Sequence, residues 1–289
     1  MERFFNMELP CTMYIHVDVH SGVEMEEISM WAFVARYGVH KLTCCMMHKR
    51  VQRNRDISVN DFMMVLHWLK SYPTWDAGAA EHKLLTDTYR FWVLRGLNTI
   101  SGAFDDYMAD SWNNRHDVGG IIAGQKTIAI AINATVCPIQ SPMSEGWESQ
   151  KMWYSGKHGI HCLKYEVAVR IIDGQIVWVN GSVPGSMHDS LLCTLGGIED
   201  GLLENDAARP WAIASFKTPC GGELTPEQRN FNKYVGRHRV IVKQVKEFAI
   251  LTHPFRTEDY QLHELAFQAI VKLHNYNIVH FPMIANAAE

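Results

Sequence analysis

The stretch "HCLKYEVAVRIIDGQIVWVNGS", residues 161–182, joins two apolar runs through Asp173-Gly174. Asp-Gly suits a tight hairpin turn, because glycine adopts positive φ without steric cost. The runs on either side are short and rich in Val and Ile, so the segment reads as an antiparallel β-hairpin. Upstream, "KTIAIAI" (126–132) has the same strand character. Residues 127–180 are therefore expected to carry the first three strands of one sheet, antiparallel through the hairpin.

Toward the N-terminus the periodicity changes. In "VNDFMMVLHWLKSYPTW" (59–75) apolar residues recur every three or four positions, which puts Phe62, Val65, Leu66 and Leu69 on one helix face. Thr74 is placed to cap a second helix, the pattern breaks near Lys83 to Leu85, and a third helix begins at about Thr86. This order is compatible with a helix-turn-helix whose Thr86–Leu97 segment, carrying Arg90 and Arg95, faces DNA. A helical packing unit without DNA contact fits the same spacing. After Pro184 come helix-compatible stretches, a Gly/Pro-marked loop "TPCGGELTPEQ", and a helical terminus through "ELAFQAIVKLHN". The expected organisation is a helical domain at 1–115 and an α/β domain at 116–289, with no internal repeat.

Composition narrows the class. The chain has 289 residues, 47% of them hydrophobic, enough to bury a substantial core. A formal charge of -4 means that any nucleic-acid contact comes from a local basic surface. The seven cysteines form no Cys-x-x-Cys, and Cys44 adjoins Cys45, which suits neither a disulfide framework nor a zinc module. Reduced, intracellular thiols are expected. No basic-then-apolar segment opens the chain, and no uncharged run reaches the roughly 18 residues that span a bilayer. No membrane partner is expected.

Five stretches in order, "NATVCPIQSP" (133–142), "YSGKHGIHCLKYEVAV" (154–169), "VPGSMHDS" (183–190), "TPEQRNFNKYVGRHRVIVK" (225–243) and, more weakly, "LHN" (273–275), resemble the transposase core of the PIF/Harbinger class. These are the DDE-type superfamily endonucleases, and the resemblance covers about residues 115–280. The WLKSYPTW region resembles the family's upstream helix-turn-helix. The resemblance implies an α/β fold with an RNase H-like core, a mixed sheet flanked by helices, preceded by the helix-turn-helix-like domain. It further implies DNA as partner, a nuclear location, and a Myb/SANT-like DNA-binding protein acting alongside.

In that family three acids converge on two divalent ions, Mg²⁺ or Mn²⁺, which activate water and stabilise the leaving oxygen of a phosphodiester. This sequence departs from the pattern. Asn133 stands at the first acid position, with Thr135 retained two residues on, and Lys243 in "HRVIVKQ" stands at the third. Asp206 in "ENDAARPWAI" is the remnant of the second, and Asp189 in "MHDS" matches a further family acid outside the triad. An amide oxygen is a weak neutral ligand, and an ammonium has no lone pair for a metal. At about 4 Å and an effective dielectric of about 20, a unit charge repels a dication by on the order of 8 kcal/mol. A catalytically defective site is expected, with no cofactor; Mg²⁺ or Mn²⁺ belongs to the alternative of an active endonuclease using Asp189, Asp206 and an acid such as Glu204 or Glu247. A third alternative is a structural partner of the Myb/SANT-like protein.

The basic residues divide into three groups. Arg90 and Arg95 lie on the candidate recognition helix. Lys157 and Lys164, beside His158 and His161, would hold phosphate or simply be solvated. The two histidines make a poor metal pair, since three steps along a strand turn their rings to opposite faces. Arg229, Lys233, Arg237, Arg239, Lys243 and Lys246 form the densest basic segment, either a nucleic-acid groove, with Arg237 and Arg239 as contacts, or a solvated helix face. His188 beside Asp189 resembles an acid/base pair, but a loop-capping Asp with a structural His is the simpler reading without a nucleophile.

Overall fold

A computed structural model describes residues 29–54, 57–104, 121–123, 126–128, 130–143, 146–170, 173–198, 222–230, 232–233 and 247–280. Five helices come first: α1 (Met30–Tyr37), α2 (Lys41–Asn54), α3 (Val59–Ser71), α4 (Trp75–Glu81) and α5 (Thr86–Ala103). Their ends follow local chemistry. Ser58 and Asp61 form a reciprocal capping box at the start of α3, and Thr74 accepts the Ala77 N–H at 3.1 Å to start α4. Helix α3 stops at Tyr72, whose left-handed φ of 46° precedes Pro73.

Helix α3 departs from the single apolar face expected of it. Every residue from Phe62 to Leu69 is buried, His67 and Trp68 included. Helix α1, helix α5 and the short 3₁₀ turn Ala249–Leu251 pack on it from different sides, so it has no solvent face in its middle. Close approach is part of this: a Cβ on Gly96 of α5 would lie 2.2 Å from a Val65 methyl carbon.

The strands follow. β1 (Ile121–Ala123) and β2 (Lys126–Ile128) form a small antiparallel pair. The main sheet holds β3 (Ile130–Pro138), β4 (Tyr154–Ser155), β5 (Ile160–Arg170) and β6 (Ile176–Pro184), with α6 (Trp147–Trp153) between β3 and β4. β5 is central: β3 pairs antiparallel along one side, β4 and β6 along the other. The first sheet strand thus starts after Lys126–Ile128, which belongs to the smaller pair, and it carries Asn133 at mid-strand. The hairpin turn falls at Asp173-Gly174 as read, with Gly174 at φ 79°. Arg170 grips the Asp173 carboxylate, its Nε donating to Oδ1 at 3.0 Å.

After β6 come α7 (Asp189–Leu195), a turn of helix at 226–230 opened by a Thr225–Gln228 capping box, and the long α8 (Tyr260–His280). Helix α8 lies between the sheet and the N-terminal helices. On the sheet side Phe267 stacks on Tyr165 of β5 at 3.9 Å. On the other side Tyr276 meets Phe104 at 5.1 Å, and the buried Lys272 donates to the Ser101 carbonyl at 2.7 Å. One continuous cluster of buried side chains therefore runs from α1 to α8, while Ile130, Ala168, Val177 and Ile198 form a smaller cluster on the opposite sheet face. The boundary expected at 115 lies outside the described residues. Among the described residues no helix is long and apolar enough to cross a membrane. Among the described residues Cys44, Cys45, Cys137, Cys162 and Cys193 stand outside any disulfide.

Candidate functional site

Asn133 opposes Val167 of β5 and is half-buried. Directly opposed residues of an antiparallel pair project to the same face. Asn133 therefore shares the face of Thr135 and Tyr165, the one that α8 covers. No acid stands beside it on the strands: β3, β5 and β6 hold one carboxylate, Glu166, and that opposes Ala134 on the other face.

Asp189 is the first residue of α7, just beyond β6. The residue capping this helix is His188, whose Nδ1 lies 2.9 Å from Ser190 Oγ and accepts the Ser190 N–H at 3.4 Å. The capping role expected of Asp189 belongs to its neighbour, which leaves the carboxylate for other partners. Lys157 Nζ donates to its Oδ2 at 3.0 Å and Lys164 Nζ to its Oδ1 at 3.1 Å. Lys164 also donates to the Met187 carbonyl at 2.5 Å, and its side chain is only 5% exposed. Burial pushes the Asp189 carboxyl up, but the two lysine hydrogen bonds and charges outweigh it and hold the group below its ordinary range.

Lys164 opposes Val136, so it projects to the face away from Asn133. Asp189, bound to it, meets the sheet on that second face, and the two candidate acid positions are not brought to one centre. Lys164 corrects the expectation of a phosphate contact: a buried ammonium engaged by a carboxylate and a carbonyl does not reach a DNA backbone. Lys157 is exposed but also paired to Asp189. A hard dication needs anionic oxygens with lone pairs to give. Asn133 offers a neutral amide and both Asp189 oxygens are engaged by ammonium, so this pair does not fit Mg²⁺ or Mn²⁺. Among the described residues no group of three or more His, Cys, Asp or Glu is arranged to hold a metal.

Asp206, Glu204, Lys243, Arg237 and Arg239 lie outside the described residues. Glu247 is exposed, and its carbonyl accepts from Lys70 Nζ at 2.9 Å. Arg90 and Arg95 are exposed on α5, their guanidinium carbons 5.7 Å from the Trp75 ring and 5.1 Å from the Trp92 ring. Phe91 beside them is 58% exposed.

Two residues acquire a meaning that sequence reading missed. Asn275, the last letter of "LHN", is fully buried; its Oδ1 accepts the Ile176 N–H at 2.8 Å and its Nδ2 donates to the Ile176 carbonyl at 2.6 Å. It gives the start of β6 the hydrogen-bond pair that another strand would supply. Glu166 is a buried acid under the end of α7, where a Cβ on Gly196 would come within 2.9 Å of its Oε2 and 2.4 Å of Asn180 Nδ2. A lone carboxylate inside the apolar run of β5 was its only sequence signal.

Residues 132–275, from the strand bearing Asn133 to the asparagine that ties α8 to β6, match the family described as DDE superfamily endonuclease. Over this stretch the chain is similar to the DDE superfamily endonucleases. The antiparallel sheet flanked by helices fits the RNase H-like architecture of a DDE domain. The probable transposase for insertion sequence element IS702 of Microchaete diplosiphon is 28% identical over 163 residues, covering 52% of this chain and 57% of that relative. The chain thus spans little more than half of the relative's length. No solved structure matches it.

Proposed function

We propose that the chain derives from a PIF/Harbinger-class transposase, has lost metal-dependent cleavage and retains DNA binding. The observation that carries this reading is the state of Asp189: both its oxygens are held by lysines, Lys157 in the turn before β5 and Lys164 on the sheet face opposite Asn133. In-line phosphodiester cleavage uses two metals about 3.5–4 Å apart, each bridged by carboxylates. A scaffold with an amide at the first acid position and a salt-bridged aspartate elsewhere lacks the negative charge to assemble them. The five ordered motifs support the Harbinger class. At the third acid position Lys243 would bring an ammonium where the family brings a carboxylate, replacing a missing cation rather than binding one. DNA contact falls to Arg90 and Arg95, with Arg237 and Arg239 as further cations. The setting is nuclear, with a Myb/SANT-like protein as companion.

The test is incubation with supercoiled plasmid and transposon-end DNA in Mg²⁺ or Mn²⁺, beside a binding titration at several salt concentrations. Salt-sensitive binding without nicking is expected, with Arg90→Ala and Arg95→Ala weakening binding and flattening the salt slope. Metal-dependent nicking abolished by Asp189→Ala or Asp206→Ala would overturn the reading.

A further inference from the structure

Where α3 hands over to α4, the chain leaves a cavity of about 250 Å³ against the segment that follows the 3₁₀ turn. Its deep wall is aromatic: Trp68, Tyr72 and Phe255 are buried, and Tyr72 and Phe255 stack at 6.0 Å with planes 13° apart. Its mouth is different. Trp75 is half-buried and stacked on Trp68 at 5.1 Å, while Asp76 is exposed beside it. The cavity is held open by fixed polar bonds. Arg256 lies 3.9 Å over the Tyr72 ring and donates to the carbonyls of Tyr72 and Pro73, each at 2.7 Å. The Phe255 N–H and carbonyl bond the end of β3 through Pro138 and Gln140, at 2.9 Å and 3.0 Å.

We infer that this cavity binds a single unstacked nucleobase of DNA, one bearing an exocyclic amino group. Three observations select that ligand. The volume falls below the roughly 300–1,000 Å³ of sites for drug-sized molecules, so it suits one flat ring system. The walls are aromatic, and aromatic faces bind bases by stacking. Asp76 accepts the Thr86 hydroxyl on Oδ1 at 2.7 Å, which leaves Oδ2 to accept an N–H from the ligand. A carboxylate at the mouth favours the exocyclic amino groups of cytosine, adenine or guanine over thymine, which has no amino group and whose lone N3–H is flanked by carbonyl oxygens. The phosphates of such a strand would meet Arg90, whose guanidinium lies over the outer tryptophan. A phenylalanine side chain of a partner protein would fill the same volume, but it has no hydrogen-bond donor for the Asp76 oxygen.

The inference rests on the proposed DNA binding, and one experiment separates the two. The full chain is titrated with oligo-dC, oligo-dA and oligo-dT of equal length, with a duplex, with free deoxycytidine monophosphate, and with a Phe-containing peptide, following tryptophan fluorescence and the anisotropy of labelled DNA. Expected are fluorescence quenching by oligo-dC and oligo-dA and an affinity about tenfold above oligo-dT, in the range one stacked and hydrogen-bonded base contributes. Quenching by the free monophosphate at higher concentration assigns the cavity to the base itself. Asp76→Asn should erase the preference over oligo-dT and leave duplex affinity unchanged; Trp75→Leu, with unchanged circular dichroism, should remove the quenching. Equal binding of all three oligonucleotides, or a preference that survives Asp76→Asn, overturns the cavity assignment while intact duplex binding preserves the DNA reading. Quenching by the peptide and not by nucleotides overturns it in favour of a protein partner. Absence of binding to any DNA, duplex included, overturns both.

Discussion

Replacing Asp189 by Asn separates two histories for this carboxylate. A ligand kept for a metal is a like-charge burden until the metal arrives, so removing it stabilises the metal-free protein. A salt-bridged residue does the opposite. Asp189→Asn would leave the Lys164 ammonium, 5% exposed, facing the Met187 carbonyl and a neutral amide with no counter-charge. Breaking a fully buried pair in this way costs about 3–5 kcal/mol. The Asp189 side chain is 41% exposed, so solvent screens part of that, and about 1.5–3 kcal/mol is the expected loss. The assay is urea unfolding at pH 7 of the unmodified chain, Asp189→Asn, Lys164→Met and the double variant. A coupling energy of about 1–2 kcal/mol is expected from the cycle. The pH dependence has a definite sign. The folded carboxyl lies below its ordinary range, so its contribution is complete above the unfolded value of about 3.9 and disappears as pH falls through the folded one. The gap between the unmodified chain and Asp189→Asn should therefore close in acid. Stabilisation by Asp189→Asn, or a rise in melting temperature with millimolar Mg²⁺ that this variant loses, would refute the reasoning.

Other consequences are independent of that pair. Asn275→Ala orphans the Ile176 N–H and carbonyl in the core and should cost about 2–4 kcal/mol, with faster hydrogen exchange at Ile176 than in the middle of β5. Gly78→Ala should destabilise by about 1–3 kcal/mol although alanine is the better helix former, because the new Cβ would lie 2.4 Å from the Tyr89 ring; Tyr89→Leu should recover most of the loss in a chemical melt. Burial lowers the pKa of His263 to about 3 and that of His274 to about 4. Both therefore stabilise the fold fully above about pH 6.5, and each should cost about 3 kcal/mol by pH 4 as the unfolded state takes up the proton; unfolding titrations of His274→Gln should show a shallower acid slope.

Much of the fold was legible from local chemistry. Asp173-Gly174 between Val/Ile runs marked the hairpin, Thr74 the start of α4, and the break at Lys83–Leu85 the turn before α5, because each depends on residues within a few positions of one another. The assignment of Asn133 and Lys243 to acid positions rests on the resemblance to an ordered motif, and Lys243 lies outside the described residues.

What the sequence by itself determined were the element types and the hairpin. Tertiary structure alone decided that α3 is covered on every side, that Asn275 serves as a neighbour for β6, and that Lys164 is buried against Asp189 rather than offered to phosphate. It also decided that Asp189 meets the sheet on the face away from Asn133. The reason is the pleat: a side chain's face depends on strand register, and a shift of one residue would exchange the two faces. That register is set by which of them α8 covers, a contact made by residues about a hundred positions further along the chain, as in the Tyr165–His263 hydrogen bond across a sequence separation of 98.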